Sequence, residues 1–305
     1  MNKKKRIATS AMALAVAAAT VAWSAPAGVA YAATDVTLYP ESSGTTTKTY
    51  EAGSDIGDAK AYGKNEYGSV YGNTVLTIED SISGDAYAEG TRNDDDTTKT
   101  SATVKVDGDV GGYVTATDGT VIVTGDVKGD STGDSGSRSI FAQNSTVTVG
   151  GDVAKNIKSD TSNITVGGSV GGHIEADSES TVKVTGDVND YIDVLLSTVT
   201  IQGDANSCIN AIGATVNILG NVKGENVTYN YAIQAVNSTV NIGSEDKPST
   251  VNNDVTAGYM SDYSSCGDTK INIYGTVNGY VQLYQTNTDN TTILVTDGIK
   301  ASCIL

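Results

Sequence analysis

The residues with the most chemical potential are a run of Gly-Asp pairs. Asp109, Asp126, Asp152, Asp187 and Asp204 each follow a glycine, and Asn221 follows Gly220. Asp109 and Asp126 lie 17 residues apart, as do Asp187 and Asp204. A repeat that brings Asp109, Asp126, Asp187 and Asp204 into a column could hold Ca2+ between them, since that ion takes several oxygen ligands. The alternative is that each aspartate hydrogen-bonds the backbone of its own turn, and the spacing is not that of the tandem calcium-binding nonapeptide. A second set, Tyr113, Asn156, His173, Tyr191, Cys208 and Tyr280, recurs at one position of the same repeat. If those side chains face outward, Tyr113, His173, Tyr191 and Tyr280 form a candidate ligand-binding face where rings stack on sugars. Tyrosine is also simply favoured on exposed strands. Catalysis has less to work with. Glycan cleavage on a β-helix calls for paired carboxylates or an acidic cluster with a cationic base. After the first few residues the only arginines are Arg92 and Arg138, the latter near Asp130 and Asp134. The expectation is therefore a non-catalytic chain.

The element that must position these residues is a repeat. In the segment from Val104 to Ala116, apolar residues fall at offsets 0, 2, 6, 10 and 12: Val104, Val106, Val110, Val114 and Ala116. The same offsets give Ile164, Val166, Val170, Ile174 and Ala176, and then Val182, Val184, Val188, Ile192 and Val194. Repeat starts fall at residues 76, 104, 121, 147, 164, 182, 199, 216, 240, 271 and 293, with shortest intervals of 17 or 18 residues. Two period-two pairs separated by a glycine-bearing turn are two strands whose apolar residues share a face. Glycine at offsets 4 and 8, as in Gly108 and Gly112, is expected to supply unusual φ values. The fold class that follows is all-β, a single-stranded parallel β-helix, or β-solenoid, of about eleven coils. Stacked ~4.8 Å apart, such coils make a column about 50 Å long. Insertions at 89–102, 128–139, 223–232, 243–254 and 261–270 are expected to protrude as loops, where repeat proteins carry binding.

The pattern V-x-V-x-G-x-V-x-G-x-V-x-A from Val104 to Ala116, nearly restated from Ile164 to Ala176, resembles the winding repeat of bactofilins. The resemblance covers residues 76–305. It implies a right-handed, three-sided β-helix and end-to-end polymerisation without nucleotide. More loosely, the chain resembles Gram-positive, adhesin-like surface proteins built from β-helical repeats.

Residues 1–32 read as a signal peptide: Lys3 to Arg6, an Ala-rich apolar run, and Ala30-Tyr31-Ala32 as the cleavage pattern. Residues 33–75 are expected to form an N-terminal cap and loop, with Val36 and Leu38 in a possible first strand, and 76–305 the solenoid. Four of the 19 basic residues lie in the leader, so the remainder carries 15 against 36 acidic ones, net −21. That charge argues against nucleic-acid and anionic-lipid partners. Cys208, Cys266 and Cys303 are an odd count and no disulfide framework. Leu305 completes a coil, so the open edge after it is expected to continue in a longer chain or to dock. The functional expectation is an extracellular, cell-surface structural or adhesive rod that displays loops and self-associates through its ends. A glycan- or mucin-binding module using the tyrosine-rich face is the alternative, and a polysaccharide lyase or hydrolase is less favoured.

Overall fold

The computed structural model describes residues 33–91, 100–129, 138–224, 231–258, 268–284 and 290–300, and all its regular elements are β-strands. Val182 and Val184 turn inward from the strand Thr181–Val184, and Ile192 and Val194 turn inward from Ile192–Leu195. Repeating that alternation coil after coil gives two parallel sheets of 12 strands each. The first begins at Thr34–Leu38 and the second at Thr45–Tyr50. In the second sheet Leu76 lies opposite Val104, Val104 opposite Val121, and Val121 opposite Val147. The same column runs on to Ile271 and Ile293, so all eleven starts read from the sequence fall in one register. A third side is built from the offset-6 residues. Ile82, Val110, Val127, Val153 and Val170 are joined by single parallel bridges. This side widens into the strands Ser249–Val251, Gly275–Val277 and Gly298–Ile299. The solenoid is three-sided, with one apolar core running through the stack.

Three expectations need correction. Residues 33–75 are not a cap but a further coil and part of another. Ile56–Tyr62 pairs with Thr34–Leu38 on one side and Ala86–Glu89 on the other, and Thr45–Tyr50 pairs with Asn73–Ile78. The coil escaped the pattern because Lys48 and Tyr50 stand where Leu76 and Ile78 stand one coil later. Among the described residues its outer strand has a single strand neighbour, and it is mostly exposed, so it is not required to be apolar. The insertion at 243–254 is shorter than expected: Ser244 and Lys247 close a tight turn, and Ser249–Val251 and Asp254–Ala257 are strands of the stack. Most of the other expected insertions lie outside the described residues. The register crosses them intact, with Ile209 opposite Ile233 on either side of 223–232.

The third correction concerns glycine. Gly108, Gly112, Gly168 and Gly172 do not have positive φ. They are glycines because the neighbouring coil leaves no room: a Cβ on Gly168 would lie 2.7 Å from the carbonyl carbon of Gly151 and overlap Asp152 Oδ1. At the same two offsets Gly129 (φ 67°), Gly224 (61°) and Gly275 (141°) do take positive φ, but it recurs most regularly at the corner between the first and second sheets. Asp118 (φ 48°), Asn144 (49°), Thr161 (50°), Leu196 (50°), Gly213 (59°) and Asn237 (49°) occupy one position in successive coils. The 18-residue coil starting at Ile164 places its extra residue here, with both Ser178 and Glu179 at positive φ.

Two positions are poorly matched to their surroundings. Leu196 is 58% exposed in a backbone conformation that costs a branched residue roughly 1–2 kcal/mol. Ser159 occupies a column otherwise filled by Ala142 and Ala176, and its buried Oγ has no hydrogen-bond partner. Leu196→Asn, the residue used at 144 and 237, is expected to raise stability by about 1 kcal/mol in urea unfolding. Ser159→Ala, which removes an unsatisfied buried hydroxyl without opening a cavity, is expected to raise it by a similar ~1 kcal/mol.

Candidate functional site

The aspartate column does not serve its own turns, which corrects that part of the sequence reading. Each carboxylate reaches along the stack and accepts the N–H at the equivalent position of the next coil. Asp126 N–H donates to Asp109 Oδ1 at 3.0 Å, Asp152 N–H to Asp126 Oδ1 at 2.8 Å and Asp204 N–H to Asp187 Oδ1 at 2.7 Å. Serine fills two rungs with a hydroxyl: Asp109 N–H donates to Ser81 Oγ and Asp187 N–H to Ser169 Oγ. The column ends with Asn221 N–H on Asp204 Oδ1 and Thr250 N–H on Asn221 Oδ1, both 2.8 Å. The N–H of Asp126, aided by the Lys128 ammonium 3.0 Å away, holds the Asp109 carboxyl below its ordinary value. Among the described residues, no group of three or more His, Cys, Asp or Glu side chains could hold a metal ion.

A second ladder escaped the sequence reading. At the positive-φ corner, Ser145, Ser162, Ser180, Ser197 and Ser238 are buried. Ser162 Oγ accepts from Ser145 N–H at 2.9 Å, Ser180 Oγ from Ser162 N–H at 3.1 Å and Ser197 Oγ from Ser180 N–H at 3.0 Å. Ser162, Ser180 and Ser238 donate in turn to the carbonyls of Asp160, Asp177 and Val236. Its signal in the sequence is a Ser or Thr two positions before eight of the eleven coil starts, with Ala102, Gly119 and Ala214 at the other three.

The tyrosine-containing column lies at the edge of the first sheet, and its backbone is held by the same device. Tyr113 N–H donates to Asp85 Oδ1, His173 N–H to Asn156 Oδ1 and Tyr280 N–H to Asp254 Oδ1. Only His173 and Tyr191 come together as rings, with centroids 4.3 Å apart and planes at 11°. Tyr113 lies three coils from His173 and Tyr280 four coils from Tyr191, about 14 Å and about 19 Å at ~4.8 Å per coil. Each ring of the stacked pair covers one face of the other, so edges rather than a broad platform turn outward. Cys208, in the same column, is buried rather than outward-facing, and burial pushes its thiol up.

Beside that stack lies a cluster of ionisable side chains on the first sheet. Glu175 stands opposite Lys158 on one side and Asp193 on the other. Lys158 Nζ reaches Glu175 Oε2 at 2.8 Å, and His173 Nε2 lies 3.7 Å from Oε1. Burial pulls Glu175 up, but Lys158, His173 and Arg138 outweigh it and hold the carboxyl below its ordinary value. Burial lowers His173. Asp177 and Asp193 are both raised, chiefly by burial and then by neighbouring carboxylates. Arg138 lies 5.8 Å from the Phe141 ring centroid. Arg92, Asp130, Asp134, Cys266 and Cys303 lie outside the described residues. No protein-family model, curated protein or solved structure matches this chain.

The two readings of the aspartate column separate experimentally. Asp187→Asn keeps an acceptor, as Asn221 does, and is expected to leave the thermal midpoint close to wild type with calcium or chelator. Asp187→Ala strands the Asp204 N–H and is expected to cost about 1–2 kcal/mol. A calcium-held column would instead give a calcium-dependent midpoint that Asp187→Asn abolishes.

Proposed function

We propose that this chain is a non-catalytic structural β-solenoid, an extracellular, cell-surface spacer that displays loops and associates with further copies through its ends. The observation that carries this reading is the continuity of the stack. One register runs from Lys48 opposite Leu76 to Ile271 opposite Ile293, with the core and the corner hydrogen bonds repeating alongside it. Adjacent parallel strands resist bending at each step, so such a stack acts as a stiff spacer. Insertions leave at the corners and do not disturb the register, as the pairing of Ile209 with Ile233 illustrates. End association is supported by the outer strands. Among the described residues, Val281–Leu283 and Thr292–Val295 each have one strand neighbour, and their inward Val281, Ile293 and Val295 are only partly buried.

A glycan-binding reading draws on the His173–Tyr191 stack, which sits among the hydrogen-bonding groups Glu175, Asp193 and Asn210. It is weaker, because the two rings occupy each other's faces and Tyr113 and Tyr280 are remote from them.

Sedimentation velocity with negative-stain imaging of the purified protein tests the structural reading. Elongated particles joining end to end into filaments are expected. A compact particle that never associates would remove the self-assembly part of the proposal. In parallel, Tyr113, Tyr191 and Tyr280 are replaced by Ser. The spacer reading expects unchanged particle length and unchanged retention on polysaccharide columns, whereas loss of retention would favour glycan binding.

A further inference from the structure

Among the described residues, the outward face of the first sheet contains one buried polar atom that the rest of the fold leaves unanswered. Asn210 lies opposite Asp193 in the neighbouring coil, and its Nδ2 donates to Asp193 Oδ1 at 3.1 Å. The Asn210 Oδ1 is buried and accepts no hydrogen bond. Asn206 Oδ1, at a corner, is likewise buried without a partner, but two asparagines of the second sheet show how such an amide can be answered. Asn241 Nδ2 donates to Asn217 Oδ1 at 2.8 Å, and Asn272 Nδ2 donates to Asn241 Oδ1 at 2.7 Å. The Asn217 and Asn241 amide oxygens each accept a hydrogen bond from the next coil. At Asn210 no such donor arrives.

We propose that Asp193 is a proton-binding site: its carboxyl takes up a proton from solvent and donates it to Asn210 Oδ1, closing an acid–amide clasp between two coils. A protonated carboxyl has one O–H donor and one free acceptor oxygen, and a primary amide offers the complementary pair. The existing Nδ2 contact supplies one half of that exchange, and the O–H of Asp193 supplies the other.

Burial and the neighbouring carboxylates make the charged form of Asp193 costly, and they outweigh Asn210 Nδ2 and Lys158, which favour it. On the preceding strand, Glu175 stands directly opposite and Asp177 lies further along. The Lys158 ammonium is already engaged by Glu175 at 2.8 Å, and His173, which burial lowers, lies 3.7 Å from the same carboxylate. Asp160, one strand further, lies opposite Asp177 and adds to the negative side. On its own strand and the turn before it, Asp193 is accompanied by Tyr191 and Asp190, and on the following strand's edge by the buried Cys208. None of these supplies a proton donor to Asn210 Oδ1. Burial first, then Asp177 and Glu175, raise the carboxyl above its ordinary value of 3.8, against smaller opposing contributions from Asn210 and Lys158.

The sign of the linkage follows. A carboxyl raised in the folded state stabilises the fold fully below the ordinary aspartate value, and this contribution is lost as pH rises through its own folded midpoint. Asp193→Asn mimics the protonated acid permanently, since its amide both donates to Asn210 Oδ1 and accepts from Nδ2.

Two measurements on the intact protein test the proposal. With 13C-labelled aspartate carboxyls, the resonance missing in Asp193→Asn is expected to titrate above the ordinary aspartate value in wild type. Titration at or below that value would overturn the clasp. Thermal unfolding across pH is then compared between wild type and Asp193→Asn. The two midpoints are expected to agree in acid and to diverge in favour of the variant as pH rises. A difference that stays flat across the range would sink the proposal. Should the variant fail to fold, assigning the wild-type resonance through bonded nuclei lets the titration alone decide.

Discussion

The constraint on which the solenoid depends is the backbone N–H at its corners. Strands satisfy their own amides through the sheet ladders, but a coil of 17 or 18 residues must turn three times, and turning takes peptide groups out of the ladders. All three corners meet this with side chains that cross from one coil to another, the one before the first sheet through Asp85, Asn156 and Asp254. The Asp109–Asp126–Asp152 column points one way along the stack, accepting from the following coil. The Ser145–Ser162–Ser180 column points the other way, accepting from the preceding coil. Neither works in a lone coil, because each acceptor's donor belongs to another turn of the helix. The corners therefore add to the cooperativity that the shared core already imposes.

From this constraint the glycines follow. For Asp152 to reach Ser169 N–H at 2.7 Å, its carboxylate must pass where a Cβ on residue 168 would stand. The Gly-Asp pair is thus one device spread over two coils: the aspartate of one occupies the space vacated by the glycine of the next. The apolar offsets made the strands, the register and the three-sided core legible, because inward-facing residues must be apolar in every coil. The direction of the aspartate bonds was not legible, since Gly-Asp reads equally well as a local turn. The first coil was missed for the opposite reason. Lys48 and Tyr50 lie on an outer strand, where burial relaxes and the pattern fades.

The candidate site shows the same limit. Position in the repeat identified His173 and Tyr191 as neighbours, and they do stack. It also placed Tyr113 and Tyr280 in that column, yet insertions and coil count separate them from the pair. Lys158, Glu175, Asp193 and Asn210 share the next outward position on four successive strands. They went unread because polar residues on an exposed face carry no periodic signature of their own.

Acidity in this chain accordingly has two physical origins that respond oppositely to pH. Asp109 is an acceptor for a backbone N–H, its carboxyl is lowered, and its contribution is present above the ordinary aspartate value and lost as pH falls through its folded midpoint. Asp193 faces carboxylates and an unanswered amide oxygen, its carboxyl is raised, and its contribution runs the other way. Ser81, Ser169 and Asn221 fill rungs of the aspartate ladder without charge, so the ladder requires an acceptor and not an anion. Aspartate nevertheless holds most rungs, as a charged acceptor makes the stronger hydrogen bond. The part of the negative charge carried by Asp109, Asp126, Asp152, Asp187 and Asp204 therefore need not point to a cationic ligand, because it follows from how one coil holds the next.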